Sequence, residues 1–325
     1  MNATLSVVIP TYNRRSSLRR LLQSLAEQKT PAAEVIVVDD ASSDGTAAML
    51  AADFPTVSVI RQERNRGPAG CRTAGIRAAR SEIVVGLDSD VTVDDPELLG
   101  NVARFFVENP GVAGAALRIL KGDSNADDVR RWWHPVPHAR FAEQSFVTSY
   151  FSGSGYAFRR QAVLEAGLFA EDLFIGSEEN DLCYRLLKRR HLLVYTPHLA
   201  VRHHEGTAAT RSRYQCYFKP RNQILIAAEH FPLGYAAAYL APRLAKAALL
   251  ALVQRQWQNY LQALKEAYQR LPARWSRRQV IEPATWRWIR SMRRGLLYRT
   301  PAPEPAGGAE PRTRLAPLEK EKTTC

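Results

Sequence analysis

Asp88 and Asp90 stand one residue apart at the end of an apolar run, Ile83 to Leu87, within EIVVGLDSDV. A short apolar run of this kind reads as a buried strand. Because strand side chains alternate faces, Asp88 and Asp90 point the same way and Ser89 points opposite. Two carboxylates so close repel, and a divalent cation, or a polyphosphate bridged by one, relieves that cost. The plain alternative is a surface turn built with aspartate. EVIVV, from Glu34 to Val38, is a second apolar run ending in acids, here Asp39 and Asp40. Further on, GSEENDLCYRLLKRR sets Glu178, Glu179 and Asp181 in the first turn of a helix with Ser177 as its cap, where carboxylates suit the helix dipole whatever else they do. His203, His204 and Glu205 close a later strand and offer ligands to a metal.

The elements that position these groups alternate. Leu5 to Pro10 is β-rich, and TYNR leads from it into a helix through Leu18, Leu21, Leu22 and Leu25. After the second strand, SSDGT opens a helix through Met49 and Leu50; Val57 to Ile60 is a third strand, and Gly70 to Arg80 is the helix before Ile83. Strand and helix in strict alternation imply right-handed crossovers and a mostly parallel sheet, with the motif-bearing ends along the carboxyl edge where such sheets bind ligands. Arg64, Arg66 and Arg72 surround the loop ERNRGPAG and suit either a phosphate or a solvated turn. Pro96 to Glu108 reads as a helix and Val112 to Leu120 as a strand. Asp123 to Ser149, with Trp132 and Trp133, has no clear period and reads as a loop over the site or as core. In SGSGYAF, Gly153 and Gly155 permit close backbone approach to a ligand. Leu192 to Tyr195 and Leu199 to Val201 read as a strand pair.

The 325 residues carry 45 Lys or Arg against 32 Asp or Glu, a net charge of +13. From Pro242 onward there are 17 basic and 6 acidic residues, so the body is near neutral and the end is basic. Such an end meets phosphates on nucleic acid or on anionic lipid. Gly234 to Val253 is rich in Ala and Leu but interrupted by Pro242, Arg243 and Lys246, which argues against a spanning segment and for an amphipathic helix on a membrane or on the body. Trp257, Trp275, Trp286 and Trp288 lie among arginines, a mixture that suits a lipid interface or packing on the body. Beyond Thr300 the composition reads as a disordered tail. Cys71, Cys183, Cys216 and Cys325 lack any C-x-x-C spacing, so reduced thiols in a cytoplasmic setting are expected, with no disulfide framework or zinc site. MNATLSVVIP lacks the features of a signal peptide.

SVVIPTYNRRSSLRRLLQSL, EVIVVDDASSDGT, NRGPAGCRTAGIRAA, LDSD, SGSGYAFRR, EENDLCYRLLKR, and VRHHEGT followed by YFKPRNQILI occur in the order and spacing typical of family 2 inverting glycosyltransferases. The resemblance covers roughly Leu5 to Phe231, and the chain looks most like the bacterial, rhamnosyltransferase-like branch that builds surface polysaccharides. It implies an α/β GT-A nucleotide-diphospho-sugar transferase fold, a mostly parallel mixed sheet flanked by helices. On this reading residues 1–231 form the transferase domain, 232–300 a basic, aromatic helical extension, and 301–325 the tail.

The resemblance also implies roles. Thr11, Tyr12 and Asn13 match the segment holding the nucleotide base and ribose. Asp39 matches the acid that accepts from the uracil or thymine imide N–H, favouring UDP or dTDP donors, with Asp40 beside it and Arg72 near the donor. Asp88 faces the ribose, and Asp90 with His203 faces Mg2+ or Mn2+; His204 is one residue out of register. An inverting transfer needs a base opposite the leaving group. That base is Glu179, which stands where the family has Asp, with Asp181 as the substitute. Gly153, Ser154, Gly155, Glu178 and Asp181 border the acceptor, a hydroxyl compound such as a lipid-linked glycan. The expected setting is the cytoplasmic face of the cell membrane, peripheral on an anionic surface, with no nucleic-acid partner. Two competing functions remain at this stage. A sugar-phosphate nucleotidyltransferase would carry a Gly-rich phosphate loop, which PTYNRR lacks; a non-catalytic basic membrane binder would have no use for the acidic strand ends.

Overall fold

LSVVIPT, the strand β1 (Leu5–Thr11), is buried along its whole length, as a strand is when both faces of its sheet are covered. It pairs in parallel with β2 (Glu34–Asp39) and β4 (Ile83–Leu87), and β2 pairs in parallel with β3 (Ser58–Arg61). The computed structural model describes residues 3–122, 124–204 and 214–299; Glu205, Cys325 and the tail expected from residue 301 lie outside them. Beyond β4 the sheet becomes mixed through β5 (Val91–Thr92), β6 (Val112–Lys121), β7 (Phe146–Val147), β8 (Gly155–Arg159) and β9 (Leu192–His203). The order among the described residues is β3-β2-β1-β4-β8-β6-β9-β5, with β7 on β9. β8 runs antiparallel to β4 and β6, while β6 and β9 run parallel.

The expected strand pair at Leu192 to Val201 is a single strand. Pro197 has no N–H for the ladder, and the chain bulges there: Leu117 pairs with Thr196 but Arg118 with Ala200. Period-2 alternation sorts the inner strands into two apolar layers. Val7, Ile9, Val37, Val85 and Leu87 join the leucines of α1 (Arg15–Ala26) and the apolar face of α4 (Leu98–Glu108). Val8, Ile36, Val38 and Val84 face the opposite layer, against α3 (Gly67–Ala78), α6 (Arg160–Glu165) and α7 (Glu178–Lys188). The short helices α2 (Thr46–Asp53) and α5 (His138–Phe141) complete this part.

Downstream come α8 (Lys219–His230), α9 (Leu233–Val253), α10 (Trp257–Ser276) and α11 (Pro283–Ser291). Phe231, Ile281, Trp286 and Ile289 enter the first apolar layer, and the Trp286 ring packs 4.6 Å from Tyr235. Trp286 is therefore core, whereas Trp257 and Trp275 are 40% and 49% exposed. The interruptions at Pro242, Arg243 and Lys246 do not break α9. It is one helix of 21 residues, long and apolar enough by length and composition to cross a membrane, and most of it is exposed.

Candidate active site

The strand register brings Thr11 beside Asp39 at the carboxyl edge. Asp39 is fully buried: its Oδ1 accepts from the Ser42 N–H at 3.0 Å, while Oδ2 has no hydrogen-bond partner and lies 4.0 Å from Arg61 Nε. The Thr11 hydroxyl is also buried and unpartnered. Buried acceptors of this kind are costly unless a donor arrives, and a ligand N–H would serve. Asn13, at φ 51°, stitches the two strand-end turns together, its N–H donating to Ser42 Oγ at 2.9 Å and its Oδ1 accepting from the Ser43 N–H at 2.8 Å. Tyr12 stands out beside it, 47% exposed.

Asp40 does not join Asp39. Its oxygens accept from the Arg66 N–H at 2.7 Å and the Gly67 N–H at 2.8 Å, tying down the start of α3, and burial pushes its carboxyl above the usual range. Consecutive strand-end residues face opposite ways, so one acid lines the edge and the next braces the loop. Arg66 pairs with Glu171 rather than pointing into the site.

Arg72, on α3, is 3% exposed and joins the two acidic regions. Its Nη2 donates to Asp88 Oδ1 at 2.8 Å, its Nη1 donates to Glu178 Oε1 at 2.8 Å, and Glu179 Oε1 lies 3.9 Å away. It is an internal brace, not an arginine open to a phosphate. Burial works against the charge on Asp88, but Arg72, with Arg131 and His203, outweighs it and holds the carboxyl below its ordinary range. Burial, then the neighbouring Glu179 charge, raise Glu178 to about 8 against the pull of Arg72. A Cβ on Gly153 would sit 2.2 Å from Arg72 Nη2 and 2.8 Å from Glu179 Oε1, so any side chain here would have to displace the guanidinium that braces the cluster. Ser154 donates to Asp88 Oδ2 at 3.3 Å and thus supports the strand-end acid. Gly155 is packed inside the sheet opposite Leu87, with Val201 against it, and does not border an acceptor space.

Asp90 meets His203 through β5, whose Val91 pairs with His203. Asp90 Oδ2 lies 3.8 Å from His203 Nε2 and accepts from Arg14 Nη1 at 2.9 Å. His203 Nδ1 faces Asp128 Oδ2 at 3.2 Å, and Nε2 faces Arg131 Nη2 at 2.9 Å. The network assigns the proton to Nδ1 and the lone pair to Nε2. Burial, then Arg131, lower the His203 pKa and favour the neutral ring, whereas burial, then Asp88, raise that of Asp90. A carboxylate oxygen and an imidazole lone pair this far apart suit one ion with bonds of about 2.1 Å. His204 instead faces Thr92, Nε2 to Oγ1 at 3.0 Å. Arg14, Asp128 and Arg131 went unrecognised in the sequence, the last two because they come from its aperiodic stretch.

A strained loop delivers α7. Phe174 (φ 64°) and Ser177 (φ 69°) are left-handed, and Ser177 makes no side-chain cap. Gly176, at φ 92°, has the Tyr214 ring where a Cβ would go. Asn222 of α8 holds the loop by donating to the carbonyls of Leu173, Ile175 and Gly176 at 2.9, 3.0 and 2.6 Å. Such strain persists only where its surroundings enforce it. Asp181 is not at the site. It is fully buried, its Oδ2 accepting from Arg185 Nη2 at 2.7 Å and its Oδ1 from His230 at 2.9 Å, and these partners hold its carboxyl far below the usual range despite burial. Two residues along a helix are about 200° apart, which turns Asp181 away from Glu179.

The family model described as glycosyl transferase family 2 matches residues 6–167. The chain belongs to glycosyl transferase family 2. It has the GT-A fold. Succinoglycan biosynthesis protein ExoO of Rhizobium meliloti is 41% identical over 113 residues, 34% of this chain and 31% of that protein. The GalNAc(5)-diNAcBac-PP-undecaprenol beta-1,3-glucosyltransferase of Campylobacter jejuni is 29% identical over 183 residues, 54% of this chain and 57% of that one. The chain thus spans about a third of the first relative and just over half of the second. Two solved structures share the fold at 21% identity. S. aureus TarS 1-349 in complex with UDP-GlcNAc has a TM-score of 0.58 over 90% of this chain and 91% of that one. The mannosyltransferase PcManGT from Pyrobaculum calidifontis, in complex with GDP-Man and Mn2+, has 0.56 over 90% and 85%.

Proposed function

We propose that this family 2 glycosyltransferase moves a sugar with inversion from a UDP- or dTDP-sugar to a hydroxyl acceptor, in the synthesis of a cell-surface glycan. The observation that carries the reading is Arg72. One buried guanidinium holds Asp88 at 2.8 Å and Glu178 at 2.8 Å with Glu179 at 3.9 Å, so the donor-side acid and the candidate base belong to one rigid unit.

Asp39 Oδ2 accepts the imide N–H of uracil or thymine, and Thr11, Tyr12 and Asn13 frame the base and ribose. Asp88 faces the ribose. Asp90 and His203 Nε2 would hold Mg2+ or Mn2+, a divalent ion in keeping with the Mn2+ in the PcManGT complex. When bound, such an ion would supply positive charge to offset the negative charge that grows on the departing nucleoside diphosphate. Arg14 and Arg131 contact these same two ligand atoms and would be free to pair with the diphosphate if an ion took their place. Glu179 takes the proton of the acceptor hydroxyl, and Gly153, by carrying no side chain, lets Arg72 and Glu179 pack against its backbone.

A lipid-linked glycan is the favoured acceptor, because the C. jejuni relative is named for an undecaprenol-linked one. The exposed Leu249, Leu252, Val253 and Trp257, close in sequence to Arg243, Lys246 and Arg255, suit an anionic membrane at its cytoplasmic face and not a nucleic acid. The test is a screen of UDP-, dTDP- and GDP-sugars for thermal stabilisation and sugar release, with Mn2+, Mg2+ or EDTA. UDP- or dTDP-sugars should stabilise and turn over only with metal. A GDP preference would overturn the role of Asp39, and undiminished turnover in EDTA that of Asp90 and His203.

A further inference from the structure

Arg274 of α10 is buried, 1% exposed, and reaches three acids on three different elements. Its Nε and Nη2 grip the Asp172 carboxylate at 3.0 and 2.7 Å, and its Nη1 donates to Glu229 of α8 at 2.5 Å and to Asp181 of α7 at 3.4 Å. Asp172 precedes the strained loop and Asp181 follows Glu179, so one guanidinium ties both ends of the segment on which Glu178 and Glu179 ride. We infer that Arg274 is a positioning residue for transfer, and that through it the C-terminal helices form a clamp on the base-bearing helix and are part of the catalytic unit.

Ligand atoms of Asp181, Glu229 and His230 lie within 4.8 Å of one another, an arrangement a cation must neutralise. Arg274 and Arg185 supply that charge from within the chain. Without Arg274 two buried carboxylates on facing helices repel, and the first turn of α7 moves away from α8. Neighbouring contacts reinforce the clamp: Arg221 of α8 donates to the Leu173 carbonyl at 2.8 Å and to Glu266 of α10 at 2.9 Å.

The inference rests on the transferase reading, and its test separates the two. Arg274→Ala, Arg274→Lys and Asp172→Asn are made in the whole chain and compared with wild type for transfer kcat, donor KM, UDP affinity and melting temperature. Arg274→Ala should lower kcat roughly 10- to 100-fold, the scale of a slight misplacement of a catalytic group. Donor KM and UDP affinity should stay within about twofold, because Asp39 and Asp90 are held by strand register and strand-end contacts on the sheet. Added guanidinium at a non-denaturing concentration should return part of the Arg274→Ala rate, and Arg274→Lys and Asp172→Asn should fall in between. If Arg274→Ala does not fold, those two milder variants must still lose kcat while keeping donor KM. Wild-type rates in every variant, or a falling kcat and melting temperature with a rising KM and no rescue, would overturn the positioning role alone. A wild-type chain that transfers from no nucleotide sugar would overturn the transferase reading and this inference with it.

Discussion

The two halves of the candidate site are built by different means. Thr11, Asp39 and Asp88 lie at the ends of neighbouring sheet strands or just beyond them, where register and alternation fix their direction. Glu178 and Glu179 begin a helix whose approach is a left-handed loop, held by Asn222 and by arginines distant in sequence. A strand end is rigid because the sheet is rigid, whereas a helix start entered through strain keeps its place only while its partners hold. The donor half should therefore respond to substitution one contact at a time, and the base half as a network.

The largest effect that distinguishes them is expected from Glu179→Gln. Loss of a general base costs roughly 10²- to 10⁴-fold in rate, and the donor half should bind nucleotide as before. Single-turnover transfer beside UDP titration measures both. Near-normal transfer with intact binding would move the base to another group.

Asp39→Asn probes the other half and should act on binding instead. An amide that turns N–H towards the imide N–H forfeits a hydrogen bond to a charged acceptor, about 1.5–3 kcal/mol or roughly 10- to 150-fold in donor affinity. Rate at saturating donor should change little. A fall in kcat at saturation with unchanged affinity would mean that Asp39 reads no base.

The same contrast explains what the sequence made legible. Asp39, Asp88 and Asp90 could be read because an apolar run followed by acid implies a strand end, and His203 because it closes a strand and matches the family's histidine near the metal. The same alternation that sets Asp88 and Asp90 on one face turns Asp40 away from Asp39, where it braces α3. Asp181 lies near Glu179 in sequence, but helical periodicity turns it to the opposite side. Nothing local could reveal Arg274, which meets Asp181 across 93 positions, or the pairing of Asp128 with His203 across 75. Those contacts depend on how irregular and C-terminal segments pack, which no short-range pattern encodes.

Glu178→Gln gives the smallest effect and the sharpest view of the network. Burial foremost, then Glu179, raise this carboxyl from 4.5 to about 8, so near neutral pH the folded chain holds its proton while the unfolded chain has released it. The sign follows: a folded-state pKa above the unfolded one means that stability is lost as pH rises from about 4.5 towards 8. Glutamine is close in shape to the neutral acid and does not titrate, so at low pH the variant should differ from wild type by no more than about 1 kcal/mol. Its relative stability should then improve with pH across that window, as measured by urea unfolding at pH 5, 6.5 and 8. The opposite slope, with a loss of about 3–5 kcal/mol at neutral pH, is what breaking an ionised buried pair with Arg72 would give. Arg72 would then divide its charge between two carboxylates, Asp88 and Glu178. A flat difference would mean that Glu178 titrates alike in the folded and unfolded chains and would overturn the neutral reading. A difference that rises with pH instead leaves the full positive charge of Arg72 to Asp88, and makes Glu178 the neutral wedge that keeps the base half from repelling the donor half.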